Sequence, residues 1–448
     1  MKKFLNLKYL LFLSVTLEII LLYLYYFPGS KFLLGDEKRY LDIGLSIAAG
    51  GDWHSHPFWP PMQSILIALF SRLFTDPILP LQIFQYGLLL FSGFIVRDIV
   101  YKETKSRNAS QIALAVMILY PSWLAYSQYL WPEVVHVALF TAIIWINNYK
   151  NESYKWMVLS GFLLGLAILF KSLLILFVPF LFYTVLMKNG NWKKDFPKMV
   201  LSLLIAIVTL TPASIKSHKM SGSWMVANSS MFNLNLGLKD DKRQHFSHKM
   251  AGDHFIEYNK SADTFKKRNQ IVKQKALNEI QQQGYISTFI NQISKQYFRL
   301  FDYQTFFSQQ FQGDTNVYVN KYQHRHDSPA AIVLLLYNNV FYFLIVLAML
   351  LGLLVSIKKS LVAQQLALFL LYILGLFLLL HAIPRFRIPL MPIMAFYSGY
   401  LYYYLHSQNT EKITFLPTIK SKLVLTLSIV LVMFLLFSAN VLDKYYPI

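Results

Sequence analysis

The chain has 448 residues, 55% of them hydrophobic and 14% charged, with a mean hydropathy of +0.41. A soluble domain carries about 25% charged residues, so this balance excludes an ordinary soluble protein and implies a polytopic membrane protein. The net charge of +20 is dispersed and accompanied by no nucleic-acid-binding motif, so it reads as topology signal and contact with anionic membrane lipid, with no nucleic acid as partner. The absence of cysteine excludes disulfides and thiolate metal or haem sites, and suits exposure to an oxidising compartment.

The N-terminal MKKFLNLKYLLFLSV resembles a signal sequence, but its apolar run continues to Phe27 without an A-x-A-type cleavage site. It is expected as a retained first helix. Further apolar runs follow near 80–100, 109–127, 133–148, 156–170, 172–187, 199–214, 330–356, 361–380, 388–405 and 423–441. With the first, near 8–28, they amount to about eleven crossings of a hydrocarbon core of about 30 Å. The run PMQSILIALFSRLF at 61–74 carries Arg72, is short for a span, and is expected as a re-entrant or interfacial helix. The polar stretch 215–328 is too long for a connecting loop, and 253–300 has the Lys-rich periodicity of surface helices. The expected fold is therefore all-α and polytopic, with about eleven transmembrane helices and an extracytoplasmic, largely helical insertion. An N-terminal transmembrane module, 1–214, would hold the first outer loop at 29–61, with the insertion at 215–328 and C-terminal transmembrane helices at 329–448.

Lysine and arginine mark the cytoplasmic loops. Lys2, Lys3 and Lys8 begin the set, and Lys102, Lys105 and Arg107 continue it. Lys150 and Lys155, Lys188, Lys193, Lys194 and Lys198, Lys358 and Lys359, and Lys412, Lys420 and Lys422 complete it. They agree if 61–74 does not cross. Residues 29–61, 128–133, 171, 215–328 and 381–387 then share the opposite face.

Polar groups on that face are the candidates for chemistry. Asp36 and Glu37 sit side by side in LLGDEKRYLDIGLSIAAGGDW, in what is expected to be an irregular segment. They either point apart, one to take a proton and the other to bind a metal or an acceptor hydroxyl, or pair with Lys38 and Arg39 as a solvated loop. Glu133 follows Pro132 at the start of an apolar helix, where it favours the helix N-terminus or faces the same cavity as Asp36. Its neighbour His136 reads as a packed polar group. Lys171 lies between two apolar runs and either snorkels or binds an anion. His381, Arg385 and Arg387, in HAIPRFRIP, lie where no positive-inside device belongs. Arginine suits phosphate or pyrophosphate through paired planar donors. In DWHSHPFWPPMQ, Trp53, His54, His56, Phe58 and Trp59 suit a membrane interface or stacking on a sugar ring. The H-x-H spacing shows no third ligand, and a divalent cation (Mg or Mn) held by Asp36 with Glu37 or His54 lacks a complete ligand set. No phosphate-cradling, dinucleotide, zinc-protease or nucleophile-elbow motif is present.

Taken together, GDEKRY, IAAGGDW, WPPM, YPSWLAYSQYLWPE (120–133), GLAILFKSLLILFVP (165–179), TPASIKSHKMSGSWMVANSSMFNLNLGL (211–238), KQKALNEIQQQGYISTFINQISKQYFRLF (273–301) and RFRIPLMPIMAFYSG (385–399) stand in a familiar order. The chain resembles the polytopic GT-C glycosyltransferases, in the bacterial branch similar to dolichyl-phosphate-mannose protein mannosyltransferases and the aminoarabinose transferase of lipid A. The resemblance implies a sugar donor on a polyprenyl phosphate, an acceptor that is protein, lipid or polysaccharide, and a site on the extracytoplasmic face of the bacterial cytoplasmic (inner) membrane. It assigns Asp36 as catalytic carboxylate with Glu37 and Glu133 as neighbours. Lys171, Lys216, Arg385 and Arg387 become donor-phosphate candidates with His381, and Tyr40, Trp53, His54, His56 and Trp59 acceptor or sugar contacts. Lys216-Ser217 stands where related chains often have Arg-Asn, Ser230-Met231 where many have a glycine pair, and no lysine precedes Pro60-Pro61, so the aminoarabinose substrate does not transfer. A lipid-linked sugar flippase would instead show internal repeats. An O-antigen polymerase or ligase would leave the early Asp-Glu pair without a role.

Overall fold

A computed structural model describes residues 6–27, 31–189, 192–239, 248–303, 306–307, 311 and 329–407. Among them the secondary structure is helical, without strands. Five helices among the described residues are long and apolar enough to cross a membrane: α1 (Leu7–Tyr26), α4 (Ile78–Thr104), α11 (Trp192–Ser221), α17 (Pro329–Ser356) and α18 (Leu361–Leu379). A sixth is broken, with α5 (Arg107–Leu119) bent by 52° against the segment made of α6 (Pro121–Ala125) and the 3₁₀ turn Tyr126–Gln128.

The remaining expected spans are helical but shorter. α7 (Glu133–Tyr149) and α8 (Tyr154–Phe170) have 17 residues each, and α19 (Met391–His406) has 16. Ser172–Met187 is divided into a 3₁₀ turn (Ser172–Phe177), α9 (Val178–Leu181) and α10 (Tyr183–Asn189). Prolines at 121, 132, 179 and 384 stand at the starts or junctions of these pieces, where a missing N–H and a fixed φ begin a helix more readily than they continue one. The length test is thus passed by five or six helices among the described residues rather than eleven, and the span expected at 423–441 lies outside those residues.

Polarity is inverted in the long helices. Gln82, Gln85 and Ser92 of α4 and Asn338 of α17 are buried, whereas Ile83, Phe91, Val333, Leu336 and Val340 are exposed. Exposed apolar and buried polar groups are what a helix shows when its outer solvent is lipid. α3 (Met62–Leu73) has 12 residues, about 18 Å of helix, too short to span alone. It lies along α2 (Asp36–Ala48), with Gly44 admitting Ile67 so closely that a Cβ there would be 2.5 Å from the Ile67 Cγ2.

The insertion builds α12 (Ser230–Lys239), α13 (His248–Lys260), α14 (Phe265–Gln283), α15 (Tyr285–Gln292), a π turn (Ile293–Tyr297) and α16 (Phe298–Phe301). α11 continues beyond residue 214 to Ser221 before the insertion begins. The insertion's own core joins Phe232, Leu236, Tyr258 and Val272 to Phe58 of the first loop.

The helices gather their polar links at two ends. At one, Asp98 holds Lys102 at 2.8 Å, Tyr149 and Ser360 donate to Glu103 at 2.7 and 2.6 Å, and Lys102 and Lys150 lie over Trp145. This is the lysine end. At the other end lie the first loop, the insertion and residues 381–387.

Candidate active site

At the second end, the chain between α5 and α7 is irregular and buried. Its backbone groups therefore need protein partners, because the surrounding bundle offers no water. Gln82 donates to the Gln128 carbonyl at 2.7 Å. Gln85 donates to Ser127 and Tyr129 at 2.9 and 2.7 Å, and Gln63 to Leu130 at 3.0 Å. Asn338 accepts from the Ser122 amide at 3.0 Å. These amides hold the segment that ends in Pro132 and delivers Glu133 as the first residue of α7.

Four charged side chains converge there from distant parts of the chain. Asp36 opens α2, Glu133 opens α7, Lys171 caps the C-terminus of α8, and Arg385 lies in the 3₁₀ turn Pro384–Leu390. Arg385 donates through Nη2 to Asp36 Oδ2 at 3.0 Å and has its Nε 3.1 Å from Glu133 Oε1. Lys171 Nζ donates to the same Glu133 oxygen at 2.9 Å. The Arg385 guanidinium lies over the Trp131 ring, 4.4 Å from its centroid, and Lys171 lies 4.9 Å from the Phe386 centroid. Asp36 keeps 35% of its side chain exposed while Glu133 keeps 1%. One carboxylate therefore faces the solvent and the other sits beneath the two cations.

Burial opposes the charge on Arg385, but Glu133 and Asp36 outweigh it and lift the guanidinium further above its ordinary value. Burial pulls the Lys171 ammonium below the usual lysine range, with Glu133 opposing the fall. Tyr40, one helical turn past Asp36, is buried. Burial and the Asp36 charge push its phenol up, so it stays a neutral hydroxyl beside the cluster.

The expectation of an irregular segment at Asp36–Glu37 is corrected: both lie in the first turn of α2, where acidic side chains complement the helix N-terminus. They still diverge, because successive helical residues point about 100° apart. Glu37 turns inward to Lys31 and accepts from the Leu34 and Leu130 amides, each at 2.8 Å. It fastens the first loop to the broken segment.

Arg387 does not join Arg385. It is buried against the Tyr342 ring at 4.2 Å and donates to the carbonyls of Leu300 and Asp302. His381 is buried under the insertion, its amide donating to Asn233 at 3.2 Å, and burial pushes its imidazole down to about 3, with Arg299 and Arg385 adding to the effect. Lys216 pairs with Asp52 and lies over Trp53, 4.8 Å from the centroid, away from the four-charge cluster. His54 is buried, with its amide donating to Asp52 at 3.1 Å. His56 and Trp59 pack with Phe58 and Phe265. The aromatic run expected at a membrane interface is thus largely internal, joining the first loop to the insertion, because Phe232, Phe255 and Tyr258 supply the matching rings. Among the described residues no group of three or more His, Asp or Glu side chains could hold a metal ion, so the Mg or Mn considered from the sequence finds no complete donor set there and no step is assigned to it.

Reading the sequence missed Lys31, Trp131 and the glutamines at 63, 82 and 85. The signal was present: Gln82 and Gln85 are polar residues three apart in an apolar run, and such residues face the bundle interior. Chemically, the cluster offers an exposed carboxylate that can accept a proton and two cations that can meet a negatively charged group.

Residues 55–215 match the family model described as dolichyl-phosphate-mannose-protein mannosyltransferase, in agreement with the resemblance to polytopic GT-C glycosyltransferases. Glu133 and Lys171 lie inside the matched span, while Asp36 and Arg385 lie outside it. No curated protein matches the chain by sequence. Among solved structures, the oligosaccharyltransferase AglB from Archaeoglobus fulgidus, in complex with an inhibitory peptide and a dolichol-phosphate, is similar at 13% identity and a TM-score of 0.49, over 97% of this chain and 55% of that one. ArnT from Cupriavidus metallidurans, bound to undecaprenyl phosphate, is similar at 14% identity and a TM-score of 0.39, over 89% of this chain and 78% of that one. This chain spans little more than half the length of AglB.

Proposed function

We propose that the protein is a membrane glycosyltransferase that moves a sugar from a polyprenyl-phosphate-linked donor to an acceptor hydroxyl on the extracytoplasmic face. The observation that carries this reading is the convergence of Asp36, Glu133, Lys171 and Arg385 from four separate segments at one end of the bundle. The family match over 55–215 supports the same reaction class. The positive-inside reading of the opposite, lysine-bearing end supports the choice of face.

In the proposed reaction Asp36, the carboxylate open to solvent, takes the proton of the acceptor hydroxyl. The acceptor oxygen bonds to the anomeric carbon as the bond from that carbon to the phosphate oxygen breaks, inverting the centre. The departing lipid phosphate keeps the electron pair, and Arg385 and Lys171 stabilise the charge it gains. Arginine has five N–H donors in a planar fork, so an entering phosphate can exchange for part of the carboxylate contact. Glu133 orients both cations from below. Tyr40, buried beside Asp36, stays a neutral hydroxyl and adds no charge next to the base. The lipid tail stays in the bilayer throughout.

Purified protein in lipid, supplied with radiolabelled polyprenyl-phosphate sugars and membrane extract, tests the reading with wild type beside Asp36→Asn. Donor consumption should be lost in the mutant while the thermal melt and donor binding persist. Unchanged transfer by the mutant would remove Asp36 as base. Transport of the lipid-linked sugar without transfer would replace the enzyme with a flippase.

A further inference from the structure

The insertion contains one helix whose polarity is inside out. On α15 and the π turn after it, Ile286, Phe289, Ile290 and Ile293 follow a spacing of i, i+3, i+4, i+7 and form one exposed stripe with Tyr285 beside it. Tyr285 is 75% exposed and Ile286 78%. The opposite side, Thr288, Gln292, Lys295 and Gln296, is buried. A helix on a water-facing domain turns its apolar stripe inward. The reverse arrangement matches α4 and α17, whose outer solvent is lipid.

The position of α15 agrees. It touches α18, and the Tyr297 hydroxyl just beyond it donates to the Leu374 carbonyl of α18 at 3.0 Å. Leu371 and Leu379 on the same helix are exposed apolar residues, so the α15 stripe lies beside the lipid-facing surface of α18 near its site-end terminus. We propose that α15 is an interfacial helix, with Tyr285, Ile286, Phe289, Ile290 and Ile293 resting in the headgroup–acyl boundary of the membrane leaflet at the site end.

Such helices bury their apolar face about 5–10 Å into the headgroup–acyl boundary, and this one is tied to the site. Gln296, in the π turn Ile293–Tyr297 that follows, donates to the Gly237 carbonyl at 3.2 Å and accepts from the Ala382 amide at 2.7 Å. Arg387 then donates to Leu300 and Asp302 in and beyond α16. The docked helix thereby sets the depth of residues 381–387, including Arg385. A π turn, with its widened hydrogen bonding, is a common junction at functional sites.

The chain has no cysteine, so Ile286→Cys and Ile290→Cys each create a unique labelling site. Each full-length variant carries a nitrobenzoxadiazole label in vesicles of phosphatidylcholine and phosphatidylglycerol, beside Lys273→Cys on the polar helix α14. Lipids bearing a shallow doxyl group should remove roughly half or more of the emission at 286 and 290, with aqueous iodide having little effect. The label at 273 should show the reverse. Quenching of 286 and 290 by iodide would overturn the proposal in favour of a water-exposed helix. Protection from both quenchers would overturn it in favour of a protein contact, such as a second copy of the chain. The readout needs no sugar transfer, so it is independent of the proposed reaction.

Discussion

At the residue scale, the cluster is two cations shared between two carboxylates, and the carboxylates are not equivalent. Glu133 is the buried common partner of Lys171 and Arg385 at 2.9 and 3.1 Å, so Glu133→Gln leaves Lys171 without its carboxylate and Arg385 with Asp36 alone. Removing one partner of a fully buried pair costs about 3–5 kcal/mol, and the partial exposure of both cations places this mutant toward the lower end. A comparable loss is expected in thermal unfolding of the mutant in detergent, whereas Asp36→Asn, at a partly exposed position, should cost much less. Arg385→Lys preserves charge but loses the fork that reaches both acids and the flat contact over Trp131. Transfer should fall about 100-fold or more, as when one donor to a developing oxyanion is lost, with the melt nearly retained. A mutant that melts normally and transfers normally would take Arg385 out of the chemistry. Histidines supply a pH test: burial pushes His54 and His56 down to about 4, below the unfolded value of about 6.5. Their contribution is fully present above pH 6.5 and is lost as the pH falls from there toward 4, because the released loop binds protons that the folded loop refuses. His56 is partly accessible and His54 buried, so the loss by pH 5 should be on the order of 1 kcal/mol for His56 and somewhat more for His54. The protection factors of residues 52–59, taken relative to the intrinsic exchange rate at each pH, should fall on acidification in the wild type and change less in His54→Gln/His56→Gln.

At the element scale, the broken segment between α5 and α7 positions Glu133, and the glutamines of α4 hold that segment. Gln82→Leu/Gln85→Leu removes the donors to Gln128, Ser127 and Tyr129, leaving buried carbonyls unpaired at about 1–3 kcal/mol each. Faster hydrogen exchange confined to 126–133, with slowed transfer, is the expected result; exchange no faster than wild type would assign the glutamines to helix packing alone. The helices were legible because apolar runs bounded by prolines and charges state their own limits. That residues 36, 133, 171 and 385 share one face was legible too, because Glu133, Lys171 and Arg385 each stand at an end of an apolar run, Asp36 follows the first such run, and the lysine loops order those ends. The separate fate of Arg387 was not. Residues two apart point about 240° apart on a 3₁₀ turn and about 200° apart on an α-helix, so the two arginines of PRFRIP address different partners on either, and treating them as one phosphate-binding pair overlooked that divergence. Nor was the packing of His56, Phe58 and Trp59 readable, since their partners Phe232, Phe255 and Phe265 lie far along the chain and local periodicity carries no record of that contact.

At the scale of the whole molecule, the helices run between an end rich in lysine and an end where the carboxylates meet. Close backbone approach brings them together: a Cβ at Gly161 would stand 2.1 Å from the Ser202 carbonyl oxygen of α11, and one at Gly352 2.1 Å from the Tyr397 carbonyl oxygen of α19. Any larger residue at either glycine would push the helix pair apart. The short connection after α4, where Lys105 takes a left-handed conformation with φ 54°, returns the chain at the lysine end. Asp42, exposed on α2, marks the other. The positive-inside rule then makes a prediction about the entire fold, since one reversed helix would place the lysines on both faces. Lys105→Cys and Asp42→Cys, each the sole cysteine in its chain, should react with a membrane-impermeant maleimide from opposite sides of sealed vesicles. In intact cells only Asp42→Cys should label, with Lys105→Cys labelling after permeabilisation. Labelling of both from outside would place the two ends on one side and contradict the spanning arrangement. Labelling of Lys105→Cys alone would invert the protein and move the four-charge cluster to the cytoplasmic face, where an extracytoplasmic acceptor could not reach Asp36.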